Sequence, residues 1–207
     1  MAKHREYAAV ATTNHRWQVL EERLLLDKRP WLRVKEQTVR LADGRVIDDY
    51  LVAEAPSYAI IFPVLPDGRI LAVEEYKHGI GRIVLQLPAG LLDPGEDALT
   101  GAKRELLEET GYQAGTWQAL GSFYDDSNRG MSLGHYFFAT NLKQVAEPDA
   151  GDLDEVRPIV LTPTALRAAI HAGRVTTASV VASMMLGLEM HSTQQGADHV
   201  ESHLPQS

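Results

Sequence analysis

Cysteine is absent from the 207-residue chain. That excludes disulfide bonds, thiolate nucleophiles and cysteine-ligated zinc, and it fits a reducing compartment. Long apolar runs are missing as well. The most apolar stretch, "TTASVVASMMLGLEM" (176–190), is broken by small and polar residues and is too short to span a bilayer. The segment "MAKHREYAAVATTNHRW" (1–17) has basic residues but no apolar core of signal-peptide length. Positive charge is in deficit, with 20 Lys and Arg against 28 Asp and Glu and a formal net charge of −8. This balance argues against non-specific binding to nucleic acid or an anionic membrane, while leaving room for a local basic pocket. The expectation is a soluble cytoplasmic protein with neither a membrane nor a nucleic acid as partner.

What is present describes an ordinary globular chain, 44% hydrophobic and 23% charged. Three β-rich runs come first: "WQVLEERLLL" (17–26), "WLRVKEQTVRL" (31–41) and "VIDDYLVAEA" (46–55), the last two joined by the turn "ADGR" as a hairpin. A boundary follows at Pro56 and Ser57. "YAIIFPVL" (58–65), the turn "PDGR" and "ILAVEEYK" (70–77) read as a second hairpin, and "RIVLQLPAG" (82–90) as a strand ending in a Pro/Gly loop. A strong helix covers 96–111, ending on Gly111 at the position where left-handed backbone is wanted. Strands are expected within 117–124, 134–142 and 156–162. A helix follows over 162–173 with Thr162 as cap and Pro163 in its first turn, then another over 176–190. The order implies an α+β fold, a mixed sheet between helical layers. A small N-terminal antiparallel β extension (1–55) precedes the main domain (56–190), and the polar, aperiodic 191–207 reads as a flexible C-terminal tail.

Within the first helix, "RELLEETG" (104–111) places three glutamates close together. At about 100° per residue, Glu105 and Glu109 fall within roughly 40° of each other, with Glu108 on the adjoining edge. Like charges at this spacing cost about 0.2–0.5 kcal/mol per pair. Carboxylates in a last turn oppose the helix dipole by about 0.3–1 kcal/mol each when exposed. Arg104, four residues before Glu108, recovers part of this. A bound divalent cation would reverse every sign, and hard oxygen donors point to Mg²⁺ or Mn²⁺. Taken alone, the cluster reads more readily as a solvated charged face.

The cluster is not alone. In "GLLDPGEDALTGAKRELLEETGY" (90–112), five residues separate Gly90 from Glu96 and seven separate Glu96 from Arg104. Glu105, Leu106, Glu108, Glu109 and Gly111 then follow in fixed spacing. This box resembles the signature of the Nudix hydrolases, departing only at Tyr112, where an aliphatic residue is usual. "QLPAG" and "LLDPGE" look like the branch that contains ADP-ribose and nucleoside-diphosphate-sugar pyrophosphatases, in which Glu often replaces Gln86. The resemblance covers about residues 17 to 190. It implies an α/β/α sandwich and an Mg²⁺-dependent (or Mn²⁺-dependent) pyrophosphatase acting on a nucleotide-sugar substrate. It also implies a homodimer built through the N-terminal extension.

On that resemblance, the metal ligands are Glu105, Glu108, Glu109 and the Ala89 carbonyl, with Glu96 contributing indirectly and Arg104 orienting the carboxylates. The general base is sought in the acidic loop "EPDAGDLDEV" (147–156), with Glu155 first, Asp154 second and Glu105 as the alternative. Tyr76, Lys77, His78 and Arg82 are candidates for the diphosphate side, Arg129 for a phosphate or sugar, and Trp31 for stacking on a base. Other readings are a nucleoside-triphosphate, dinucleoside-polyphosphate or RNA 5′-end pyrophosphohydrolase, and a non-catalytic nucleotide-sensing domain.

Overall fold

A computed structural model describes residues 17–149 and 156–201, with side chains in the last helix described as far as Gln195. The chain divides into two compact units, Met1–Ala55 with Ser127–Met131, and Pro56–Asp126 with Ser132–Ser207.

The first unit is a three-stranded antiparallel sheet, β1 (Gln18–Lys28), β2 (Leu32–Arg40) and β3 (Val46–Glu54), in that order. Cross-strand ion pairs line one another along it: Lys35 lies 3.0 Å from Glu22 and 2.8 Å from Glu54, and Arg33 lies 3.1 Å from Glu54. The Tyr50 hydroxyl donates to the Asn128 carbonyl at 2.6 Å, and the Ala53 N–H to the Arg129 carbonyl at 3.0 Å. These two bonds fasten the 127–131 turn to β3. A sheet of three strands has no second layer of its own, so Trp17, Val19, Leu20, Leu24, Leu25, Val46 and Leu51 remain exposed.

In the second unit the elements run β4 (Tyr58–Pro63), β5 (Ile70–Lys77), a 3-10 turn (His78–Ile80), β6 (Arg82–Gln86), β7 (Ala89–Leu91), α1 (Ala98–Thr110), β8 (Tyr112–Asp126), β9 (Met131–Gln144), β10 (Arg157–Leu161), α2 (Pro163–His171) and α3 (Ala178–Glu201). They form two sheets, β7-β4-β9-β8 and β10-β5-β6. The central β4 runs parallel to β9 and antiparallel to β7. Its sequence is apolar at every core position rather than alternating, because both faces are covered. Ile60 and Phe62 pack with Phe138, Met184 and Leu188 on the α3 face, whereas Ala59 and Ile61 pack with Ala102, Leu106 and Phe137 on the α1 face. The result is the expected mixed sheet between helical layers.

Two expectations are corrected. The "PDGR" turn forms, with Leu65 N–H donating to Arg69 O at 2.8 Å, yet the backbone pairing that follows it stops at the Val64–Ile70 bridge. Both edges of β4 are already taken by β7 and β9, so β5 goes into the other sheet and no regular second hairpin is made. The last helix, expected to stop at 190, continues to Glu201. No apolar stripe marks 191–201. The continuation carries polar ties at helical spacing instead: Thr193 Oγ1 donates to Glu189 O at 3.0 Å, and the buried His191 contacts Gln195 at 3.1 Å.

Gly111 shows how tightly α1 is seated. It ends the helix with φ +74° and bonds its N–H to Leu107 O at 2.8 Å, and a Cβ there would overlap the Ala146 carbonyl. Gly111→Ala therefore meets both left-handed strain and a backbone clash, and should lower unfolding free energy by about 2 kcal/mol or more. Denaturant titration would read this directly.

Candidate active site

The box is assembled from β7, the loop after it and α1. Asp97 caps α1 by accepting from the Thr100 N–H at 3.1 Å, which fixes where the helix begins. Ala102 and Leu106, both fully buried, press one stripe of the helix onto the sheet. The carboxylates therefore emerge on the adjoining stripe, beside β7. Glu105 lies over Gly90: a Cβ on Gly90 would occupy the space of the Glu105 carboxyl group. The first glycine of the box is there to admit the first glutamate of the helix.

Arg104 is the hub. Its Nε and Nη2 donate to the two oxygens of Glu96 at 3.1 and 3.0 Å. Its Nη1 donates to Glu105 at 2.6 Å and to Glu108 at 3.1 Å, and Nη2 also reaches the Leu91 carbonyl at 3.0 Å. The Glu96 carboxyl is held below the usual carboxylate range, first by Arg104 and then by the Asp93 N–H, which donates to it at 3.0 Å. The Arg104 guanidinium is pushed correspondingly further up, chiefly by Glu96. Glu96 is thus spent on Arg104 and the loop.

Glu109 is different. It is 4% exposed, and its Oε2 accepts from the Ala89 N–H at 3.1 Å. Burial pushes its carboxyl well above the ordinary range, the Ala89 N–H opposes that, and the charges of Glu105 and Glu75 add to the rise. A buried carboxylate with one hydrogen-bond donor asks for a cation. The donors nearby are all oxygens, which fits a hard divalent ion. Among the described residues, however, no group of three or more His, Cys, Asp or Glu side chains is already gathered to hold a metal ion. The reason is visible in the bonding. Arg104 draws Glu105 and Glu108 toward itself, and Glu109 turns back to the β7 backbone.

This geometry has relatives. The NUDIX domain model matches residues 55–181. The chain belongs to the Nudix family. A second model, the nucleoside diphosphate sugar hydrolase N-terminal domain, matches residues 17–52. An ADP-ribose pyrophosphatase from Mycobacterium tuberculosis is 36% identical over 124 residues, 56% of this chain and 56% of that protein. One from Bacillus subtilis is 28% identical over 139 residues, 59% of this chain and 75% of that protein. The chain thus spans little more than half the length of the first relative. The crystal structure of an ADP compounds hydrolase aligns with a TM-score of 0.75 at 20% identity, covering 86% of this chain and 95% of that one. At that identity the likeness is one of fold. Among the described residues, no helix is long and apolar enough to cross a membrane.

Of the candidates around this Nudix box, Ala89, Glu96, Arg104, Glu105, Glu108 and Glu109 are brought together. Alternation along β5 separates two neighbours. Leu71 faces the core under α1 while Ile70 and Ala72 face the other, so Lys77 projects to the α1 side and Tyr76 to the opposite one. Tyr76 instead meets the ring of His78, which opens the 3-10 turn, at 6.3 Å. Arg82 stands opposite Lys77 in the β5–β6 register and borders a cavity of about 220 Å³ with Glu74 and Arg174. Trp31, 67% exposed, and Arg129 lie in the first unit. Asp154 and Glu155 lie outside the described residues, but the flanks of their loop are placed: Asp149 N–H donates to the Glu108 carbonyl at 2.8 Å, and Arg157 pairs with Glu74. The sequence reading missed Glu74, which also holds Arg174 at 2.6 Å, and Glu75, whose charge reaches Glu109. Their signal was the strand period itself, which sorts "EEYK" into two faces.

The Gly90–Glu105 fit is testable. Gly90→Ala should displace the Glu105 carboxylate and lower kcat by about 10²-fold, the usual scale for an ångström-sized misplacement. Thermal melting should shift little, since Gly90 sits at the edge strand.

Proposed function

We propose that this Nudix chain hydrolyses the diphosphate bond of a nucleoside diphosphate linked to a sugar, of the ADP-ribose or nucleotide-sugar type, releasing a nucleoside monophosphate and a sugar phosphate. The observation that carries this reading is the complete box: four glutamates, an arginine that orders three of them and a glycine that admits Glu105. The substrate class is supported by the match of residues 17–52 to a nucleoside diphosphate sugar hydrolase N-terminal domain. The ADP-ribose pyrophosphatase relatives support it too.

The Ala89 carbonyl with Glu105, Glu108 and Glu109 would hold Mg²⁺ or Mn²⁺, once Glu105 and Glu108 turn from Arg104. When bound, such an ion neutralises phosphate oxygens and lowers the pKa of an attacking water. Arg104 keeps Glu105 and Glu108 from dispersing into solvent, and Glu96 keeps Arg104 in place. Lys77 and Arg82 supply positive charge for the diphosphate. Glu155 takes the proton from water, with Asp154 second and Glu105 the alternative; Asp149, the last described residue before them, donates its N–H to the Glu108 carbonyl. The exposed apolar residues of the first unit support a homodimer formed through that sheet, since apolar surface left in water is costly. The cysteine-free, acidic composition supports a cytoplasmic location.

A panel of ADP-ribose, UDP-glucose, GDP-mannose, NADH, dinucleoside polyphosphates and nucleoside triphosphates tests the class. Nucleotide sugars should turn over fastest with Mg²⁺, and EDTA should abolish activity until Mg²⁺ is restored. Preference for free triphosphates overturns the substrate, and hydrolysis undiminished by EDTA overturns the metal chemistry. Glu155→Gln should cut kcat by about 10²–10⁴-fold, the range for general-base catalysis, with metal affinity kept. Wild-type turnover in that variant moves the role to Asp154 or Glu105.

A further inference from the structure

We propose that Glu75 is a positioning residue: its carboxylate holds the Lys77 ammonium toward the carboxylate end of α1, where it meets the diphosphate of the substrate. The inference rests on the hydrolase reading above. Glu75 and Lys77 are two residues apart on β5, so both project from the same face, and Lys77 Nζ donates to Glu75 Oε1. That face carries Leu71 into the core beneath α1, and the charges of both residues reach Glu109. The Glu75 side chain is 17% exposed and that of Lys77 is 44%. The anion is packed in, and the cation at its tip reaches out.

Two forces would otherwise displace Lys77. Arg82 stands directly opposite it in the β5–β6 register, and like charges at opposed positions repel. The lysine stem also has four carbons and large rotamer freedom, part of which must be lost when a phosphate is bound. A bond to Glu75 offsets the repulsion and removes some of that freedom in advance. An ammonium has three donors, so it can keep Glu75 while giving another hydrogen to a phosphate oxygen.

The proposal has a discriminating sign. A carboxylate that merely stood near a diphosphate would repel it, and Glu75→Gln would then tighten binding. A carboxylate that holds Lys77 in place does the opposite. The experiment compares wild type, Glu75→Gln, Lys77→Met and the double variant. KM and kcat are measured on the preferred substrate, and Kd on its methylene-bridged, non-hydrolysable analogue by calorimetry. Glu75→Gln should raise KM and Kd about three- to fivefold, the scale of a partly exposed ion pair, with kcat within about twofold. In the Lys77→Met background the same change should raise neither.

A fall in KM on Glu75→Gln alone overturns the proposal, as does an equal rise in both backgrounds. A collapse of kcat at unchanged KM also overturns it, since Glu75 would then serve the α1 carboxylates. Should Lys77→Met alone leave KM and Kd unchanged in an active enzyme, the positioning role fails while the hydrolase reading stands. Should the wild-type chain neither hydrolyse a diphosphate substrate nor bind the analogue, the hydrolase reading itself fails and takes this one with it.

Discussion

The charges of the box are organised around one guanidinium. Four glutamates share the loop and helix of the box, and two of them, Glu108 and Glu109 in the last turn of α1, face the wrong end of its dipole. Each like-charge neighbour costs only a few tenths of a kcal/mol on an exposed helix, but Glu109 is buried, where an unanswered charge costs far more. Arg104 answers three of the four. Its planar fork reaches Glu96 on the loop, Glu105 beside it and Glu108 one turn on, and also takes the Leu91 carbonyl. A lysine could not make that set of contacts, because they need several donors in one plane. The fourth carboxylate, Glu109, is left with a backbone N–H, and burial pushes its carboxyl well above the ordinary range. The carboxylates of the box are thus divided by their surroundings: three are held by one arginine, and one is buried against the β7 backbone.

That arrangement holds only because the sheet holds α1 at a fixed height. The stripe of Ala102 and Leu106 seats the helix against Ala59, Ile61 and Phe137, and small side chains at 59 and 102 allow a close approach. Gly90 on β7 then leaves the gap into which the Glu105 carboxyl group fits. β4 carries the whole assembly, since it pairs with β7 on one edge and β9 on the other and is buried on both faces. Packing here determines electrostatics: a shift of the helix along the sheet would change which carboxylates Arg104 can reach.

Much of this was legible in the chain. The α+β order, the start and stop of α1 and the box itself follow from residue types at fixed spacing, because helix ends and glycine turns are local decisions. Asp97, Gly111, Thr162 and Pro163 all act within a few residues of themselves. Two local readings failed, each for its own reason. "PDGR" makes its turn, yet strand pairing is decided by which edges are free across the whole sheet. The continuation of α3 past 190 has no apolar stripe to announce it, since polar ties such as His191 with Gln195 do that work.

The sequence alone determined the chemistry on offer: oxygen ligands without sulfur, one arginine among four glutamates, and a glycine before them. These are matters of composition and spacing, and spacing on a helix translates directly into direction. Only the tertiary structure decided how those groups are divided. It gave Glu96 to Arg104 and the Asp93 N–H, and it buried Glu109 against the β7 backbone. It also brought Glu75 and Glu74 into an electrostatic neighbourhood that residues far along the chain complete. Burial and charge proximity are properties of through-space distance, and distance between β5, α1 and β10 is set by the packing of both faces of the sheet.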